Sequence, residues 1–206
     1  MKRPPVLLPW RSLAVAAAAL AVAALPGLRS DLWVERGAVL SGQLWRLWTS
    51  HLVHGSGGHL VWNVVGLIGL GLLFESTLGN RIWGVLIVCA PLVGLGTMSL
   101  QTGLVSYCGL SGVLNGLWVA GALLSAREED RRGNRLLAWL FRACVLADLG
   151  KIAWEASSGA PIFTGAALGG GVAVPIAHAL GALGGVIWLA GSSTFSLAPD
   201  SGCAVR

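Results

Sequence analysis

Charge is scarce in this sequence. Only 11% of its 206 residues are Asp, Glu, Lys or Arg, while 55% are hydrophobic; a soluble domain carries roughly a quarter charged residues. That shortage, with several long apolar runs, excludes a soluble globular domain and points to an all-α integral membrane protein whose partner is the lipid bilayer. A basic patch is also missing. The formal charge of +5 comes from residues scattered near the ends of apolar runs, where they set topology, so no nucleic-acid partner is expected. CxxC spacing is absent among Cys89, Cys108, Cys144 and Cys203. Cys89 and Cys144 lie inside apolar runs and pack there. His51, His54 and His59 come with neither an HExxH pattern nor an acidic neighbour, which argues against zinc or haem; no metal and no cofactor is expected. Nor does any internal repeat pair two broken helices, as a small transporter would require.

Glycine is plentiful, with 30 residues, and small residues let membrane helices approach closely. Residues 13–28 follow the basic start Met1-Lys2-Arg3 and lack a clean small-x-small cleavage site, so residues 1–28 read as a retained, signal-anchor-like first span. Residues 29–49 form a polar loop with Trp33, Trp45 and Trp48, aromatics suited to the membrane–water interface. Further spans are expected over 59–74, 82–100 (broken by Pro91 and Gly94), 109–124, 136–154 (interrupted by Arg142, Asp148 and Lys151) and 169–190. A polar turn over 75–81 separates the second and third. Arg127, Arg131, Arg132 and Arg135 crowd one short loop and mark it as cytoplasmic. The spans then form a core over residues 29–192, with an outer loop at 29–58 and a short cytoplasmic tail at 193–206. With the amino terminus inside, His54, His59, Ser111 and Lys151 face outward, and His178 lies in the outer half of the last span.

Gly109-Leu110-Ser111-Gly112 heads the fourth span. A serine among glycines in a membrane helix is ordinarily a packing residue, and its company is what changes the reading. His59 and Asn63, spaced i, i+4, share one helical face, and polar side chains in a span need partners. A serine hydroxyl becomes a useful nucleophile when a base takes its proton, and His178 is the candidate base. His59, Asn63 and the Ser111 N–H are candidate oxyanion donors, because a helix start leaves its first N–H groups unpaired. Gly112 with Gly116, and Gly181 with Gly185, make two small-xxx-small faces that bring spans four and six together. No carboxylate stands at an obvious position to orient His178, so a Ser–His dyad is expected. Cys108 is a weaker nucleophile candidate, lacking the glycine frame.

These residues resemble the rhomboid intramembrane serine proteases. Trp45-Arg46, Thr49, His54, His59 and Asn63, then Gly109-Leu110-Ser111-Gly112, then Ala177-His178-Ala179-Leu180-Gly181 and Gly185 follow that family's order. The resemblance implies a six-transmembrane-helix bundle and a serine endopeptidase. Its site would lie in a water-filled cavity open to the outer side, with His54 structural and Gly109, Gly112, Gly181 and Gly185 supporting the site. Tyr107-Cys108-Gly109-Leu110-Ser111-Gly112-Val113-Leu114, Lys151-x-x-x-Glu155 and Pro175-x-Ala177-His178 are similar to the rhombosortase subfamily. That implies a bacterial inner membrane, a site on the periplasmic side, and membrane-anchored substrates bearing a C-terminal Gly-Gly/transmembrane sorting tail. Lys151 and Glu155 are expected to form an outer-end ion pair. Two departures stand out. Asn115 replaces a family Tyr four residues after the serine and is expected to bond across to span six, and no Glu lies just before Trp45-Arg46. The alternative is a catalytically inactive rhomboid-like protein that binds membrane clients, which the presence of both Ser111 and His178 disfavours.

Overall fold

A bilayer core offers no water to backbone groups, so apolar runs of this length satisfy their N–H and C=O groups internally, as helices. A computed structural model describes residues 8–159 and 174–195. Its long helices are α1 (Trp10–Ala24), α5 (Gly57–Leu78), α6 (Arg81–Leu100), α7 (Ser111–Arg131), α8 (Arg135–Ser158) and α9 (Pro175–Phe195). Short helices α2 (Arg29–Leu32), α3 (Arg36–Leu40) and α4 (Arg46–Thr49) fill the α1–α5 connection. By length and composition, Gly57–Leu78, Arg81–Leu100 and Pro175–Ser192 can each cross a membrane; a fourth span is reached if α1 and the segment Pro26–Leu32, bent from it by 97°, count as one. The charged end of α7 and the five charges of α8 (Arg135, Arg142, Asp148, Lys151 and Glu155) dilute the hydropathy of those two helices.

Helix α7 is the central post. It packs against α9 most extensively and also against α8, α5 and α6. Gly112, Val113, Gly116, Leu117, Val119 and Ala120 are all buried along it. The outward faces of the bundle stay apolar, with Val65, Leu73, Ile87, Leu146 and Trp154 exposed, as a lipid-facing surface requires. Helix α1 is tied to the far end of α5 by Glu75. That carboxylate accepts the N–H groups of Arg11 (2.9 Å) and Ser12 (3.0 Å) and the Ser12 hydroxyl (2.7 Å). Acceptors of this kind satisfy the unpaired donors at a helix start.

A two-residue antiparallel ladder links the α1–α5 connection to the segment before α7: β1 (Val34–Glu35) pairs with β2 (Ser106–Tyr107), Val34 opposite Tyr107. Val34 and Tyr107 are both buried, in a small cluster with Leu47, Val93 and Ala177.

Several boundaries differ from the sequence reading. Glu75 is not in a polar turn: α5 runs on to Leu78, because the carboxylate has partners on α1. Helix α6 is not broken, and continues through Pro91. The charged stretch after residue 124 is still helix to Arg131. Only Arg132, Gly133 and Asn134 separate α7 from α8, and Arg132 pairs with Glu128 and Glu129 on the last turn. Helix α9 begins at Pro175; residues 169–173 of the expected sixth span, and the tail from 196, lie outside the described residues.

Candidate functional site

The site is built on glycine contacts between α7 and α9. A Cβ at Gly181 would fall on the carbonyl of Gly112, and one at Gly185 on that of Gly116. A Cβ at Gly112 would come within 2.9 Å of Ala177 O. The residue after Ser111 therefore touches the residue before His178, and both side chains stand at the head of this seam. Ser111 opens α7 and is half-buried, and His178 is the fourth residue of α9 and is buried.

Helix α5 approaches the same point. Ser56 caps it, its hydroxyl accepting the His59 N–H at 3.1 Å, and this fixes His59 and, one turn on, Asn63 on one face. At Gly109 the backbone adopts φ +118°, and a Cβ there would lie 2.6 Å from His59 Cε1 and 2.9 Å from Nε2. Glycine thus serves twice: it permits the left-handed turn into Ser111 and lets the His59 ring lie against the backbone. His59 and His178 are near enough to sense each other's charge. Asn63 is buried, and its Nδ2 has no hydrogen-bond partner among the described residues. A buried amide donor is costly to leave unmade, and a substrate oxygen is a natural acceptor for it.

His54 stacks edge-on against His59, ring centroids 5.1 Å apart, and its backbone carbonyl accepts from Arg29 at 2.7 Å. Burial, then the charge of His59, push its titration down from the ordinary 6.5 to about 4, so at neutral pH it is an uncharged wedge. Among the described residues Asn115 makes no hydrogen bond to α9. Its Nδ2 donates to Ser111 O of its own helix at 2.7 Å, the acceptor that an i, i+4 spacing offers.

The main correction concerns His178. The sequence reading found no carboxylate to orient it, yet Glu155 Oε2 lies 2.9 Å from His178 Nδ1. Glu155 is 2% exposed and also pairs with Lys151, Nζ to Oε2 2.9 Å; Lys151 Nζ is 3.5 Å from the same imidazole nitrogen. Asp148, Ile152 and Glu155 are buried along one face of α8. Their i, i+4, i+7 spacing puts two carboxylates on the inward side, and that periodicity was the available signal. The i, i+4 spacing of Lys151 and Glu155 implies their pairing but not what the face meets on α9.

His51 and Tyr107 take roles beside the site that the sequence did not indicate. His51, buried, sets Nδ1 3.0 Å from Gly109 O and Nε2 3.0 Å from Ala90 O, so it ties α6 to the turn before Ser111. Burial lowers its titration, and a neutral ring donates to one of those carbonyls at a time. The Tyr107 ring packs edge-on against His51 at 5.9 Å. Its buried hydroxyl turns toward Ser111 and the Gly112 N–H without a hydrogen bond of good geometry. Burial raises its titration and those two neighbours oppose the rise. Cys108 is half-buried, and burial pushes its thiol up, the wrong direction for a nucleophilic thiolate.

The arrangement therefore gathers a hydroxyl at a helix start, an imidazole whose far nitrogen faces a carboxylate, and a second imidazole with an unsatisfied amide. These are the parts of an acyl-transfer site. Among the described residues, no cluster of three or more His, Cys, Asp and Glu could hold a metal ion. A search of curated proteins finds no match. The family model described as Rhomboid domain matches residues 41–194, most of the chain and every residue of the seam, and the chain belongs to the rhomboid family, intramembrane serine peptidases of the multi-pass membrane class.

Proposed function

We propose that this rhomboid peptidase hydrolyses its membrane-protein substrates with Ser111 as nucleophile and His178 as general base, in a bundle of six spans. The observation that carries this reading is the glycine seam, whose first contact, Gly112 to Ala177 O, joins the residues next to Ser111 and His178. Ser111 Oγ attacks the scissile carbonyl carbon and its proton passes to His178 Nε2. The oxyanion is held by the Ser111 N–H, the His59 ring and Asn63 Nδ2. Collapse breaks the C–N bond, and the amine leaves with the proton from His178. Water, deprotonated by the same imidazole, then hydrolyses the acyl-enzyme. His54 braces His59, and the four glycines at 109, 112, 181 and 185 hold the geometry.

Topology follows from charge. Arg11 donates to Asn80 next to Arg81, so the start of α1 and the end of α5 share one end of the bundle. Arg127, Arg131, Arg132 and Arg135 flank the α7–α8 turn, at the end of α7 opposite Ser111. Basic ends face the cytoplasm, which supports a site open to the periplasmic side of a bacterial inner membrane. The rhombosortase-like motifs around Ser111, Lys151 and His178 support substrates with a C-terminal Gly-Gly motif followed by a transmembrane helix and basic residues.

The test is cleavage of such a tail-anchored substrate in membranes. Ser111→Ala and His178→Ala are expected to abolish it, and His59→Ala or Asn63→Ala to slow it by roughly 10²–10³ in kcat. Full activity in Ser111→Ala sinks the mechanism. A wild-type enzyme that takes a serine-directed fluorophosphonate yet ignores the Gly-Gly tail sinks the substrate class alone.

A further inference from the structure

We infer that Glu155 is a positioning residue that makes the site a Ser111–His178–Glu155 triad, with Lys151 holding Glu155 in place. The inference rests on the proposed roles of Ser111 and His178.

A carboxylate on a bundle's inward face is expensive unless paired. Glu155 is 2% exposed and has two partners on a single oxygen: Lys151 Nζ and His178 Nδ1, each 2.9 Å from Oε2. A pairing with Lys151 alone would need nothing from α9, yet the carboxylate reaches the nitrogen of His178 that cannot face the serine if Nε2 does. That placement has a consequence for the tautomer. An ionised carboxylate only accepts hydrogen bonds, so Nδ1 carries the proton and Nε2 keeps a lone pair for the Ser111 hydroxyl. Lys151, which can only donate, competes for Nδ1 from 3.5 Å. If Lys151 prevailed, Nε2 would carry the proton and His178 could not act as base. Glu155 is nearer to the ring and engages Lys151 on the same oxygen, so it both selects the productive tautomer and draws the lysine aside. During attack the proton lost by Ser111 rests on Nε2, and the imidazolium then lies between the oxyanion and an ionised Glu155, which needs no proton itself. Among the described residues, Asp148 on the same face of α8 and His59 on α5 also interact electrostatically with His178; neither is hydrogen-bonded to its ring.

The experiment uses full-length protein in bilayers and needs no knowledge of the substrate. In ¹⁵N-histidine-labelled protein, the His178 signals are identified by their loss in His178→Ala; the chain has only 4 histidines. Solid-state NMR then reads the tautomer. The expected result in the wild type is Nδ1–H, and an Nε2–H tautomer overturns the inference with no variant required. The second arm is labelling by a fluorophosphonate probe, separated into probe affinity and maximal rate. Glu155→Gln is expected to lower the maximal rate by about 10²–10⁴ with affinity little changed, and Glu155→Asp to recover part of it. Labelling of Glu155→Gln within twofold of wild type, while Ser111→Ala stays unlabelled, removes Glu155 and leaves the serine mechanism standing. Labelling that persists in Ser111→Ala overturns the underlying mechanism as well.

Discussion

The seam between α7 and α9 gives the sharpest quantitative test, because one methyl group suffices to probe it. In Gly112→Ala the new Cβ would lie 2.8 Å from Val93 Cγ1, 2.9 Å from Ala177 O and 3.2 Å from Tyr107 Oη. Ordinary contact begins at 3.4 Å, so α9 must move by about 0.5 Å to clear Ala177 O alone. Val93 is fully buried and Ala177 O is helix backbone, so neither yields by a simple rotation. Overpacking of this kind costs about 1–3 kcal/mol of stability. Reacting groups tolerate roughly 0.5 Å of error, and a 1 Å misplacement can lower a rate about 10²-fold. Gly112→Ala is therefore expected to slow fluorophosphonate labelling of Ser111 roughly 10-fold. Gly181→Ala, whose Cβ would sit on the Gly112 carbonyl, should lower it about 10²-fold or more and depress the melting midpoint further. Gly69→Ala is the control. It lies on α5 with nothing within 4 Å of the added methyl and should leave both readouts unchanged. Labelling rates and thermal unfolding, both on detergent-purified protein, make the comparison. Wild-type rates in Gly181→Ala would refute the claim that this contact sets the distance between Ser111 and His178.

Two other perturbations test the surroundings. His54 titrates at about 4 in the folded chain against an ordinary 6.5, so below 6.5 the unfolded state binds the extra proton. Its contribution is whole above pH 6.5 and is lost as pH falls toward 4, by roughly 2–3 kcal/mol; His54→Asn should flatten the fall of the melting midpoint between pH 6.5 and 4, and an unchanged slope assigns that fall elsewhere. Tyr107 carries a buried hydroxyl with no hydrogen-bond partner among the described residues. Tyr107→Phe should therefore hold or raise the melting midpoint, whereas Tyr107→Ala, emptying a buried ring site, should lower stability by about 3–5 kcal/mol; a marked loss in Tyr107→Phe would reveal a hydrogen bond that the geometry does not contain.

Helix periodicity and glycine spacing were readable because they depend on near neighbours in the chain. The i, i+4 step from His59 to Asn63 and the Gly112/Gly116 and Gly181/Gly185 faces needed only helical geometry, and the seam they anticipate is there. Charge was a poorer guide to boundaries. Glu75 looked like the end of a span because an isolated carboxylate belongs in water; its acceptors are claimed by the start of α1, 63 residues away in sequence for the Ser12 N–H. Likewise the run from Arg127 to Arg131 looked like loop, although charged residues propagate a helix well once it leaves the apolar region. His178 and Glu155, 23 residues apart, depend on how α8 leans against α9, and no local pattern specifies that. His51 is similar: its two carbonyl contacts come from α6 and from the turn at Gly109, and they exist only once three segments have met.

The short ladder between Val34 and Tyr107 has a mechanical meaning. Together with the Gly109 N–H to Ser50 O bond of 3.1 Å and the His51 ring, it bolts the α1–α5 connection to the mount of the serine. Swinging that connection aside while Ser111 stays put would break these bonds. Any displacement of it is transmitted to the first turn of α7, and would register as a change in the rate of bond cleavage rather than in the ease with which a client arrives.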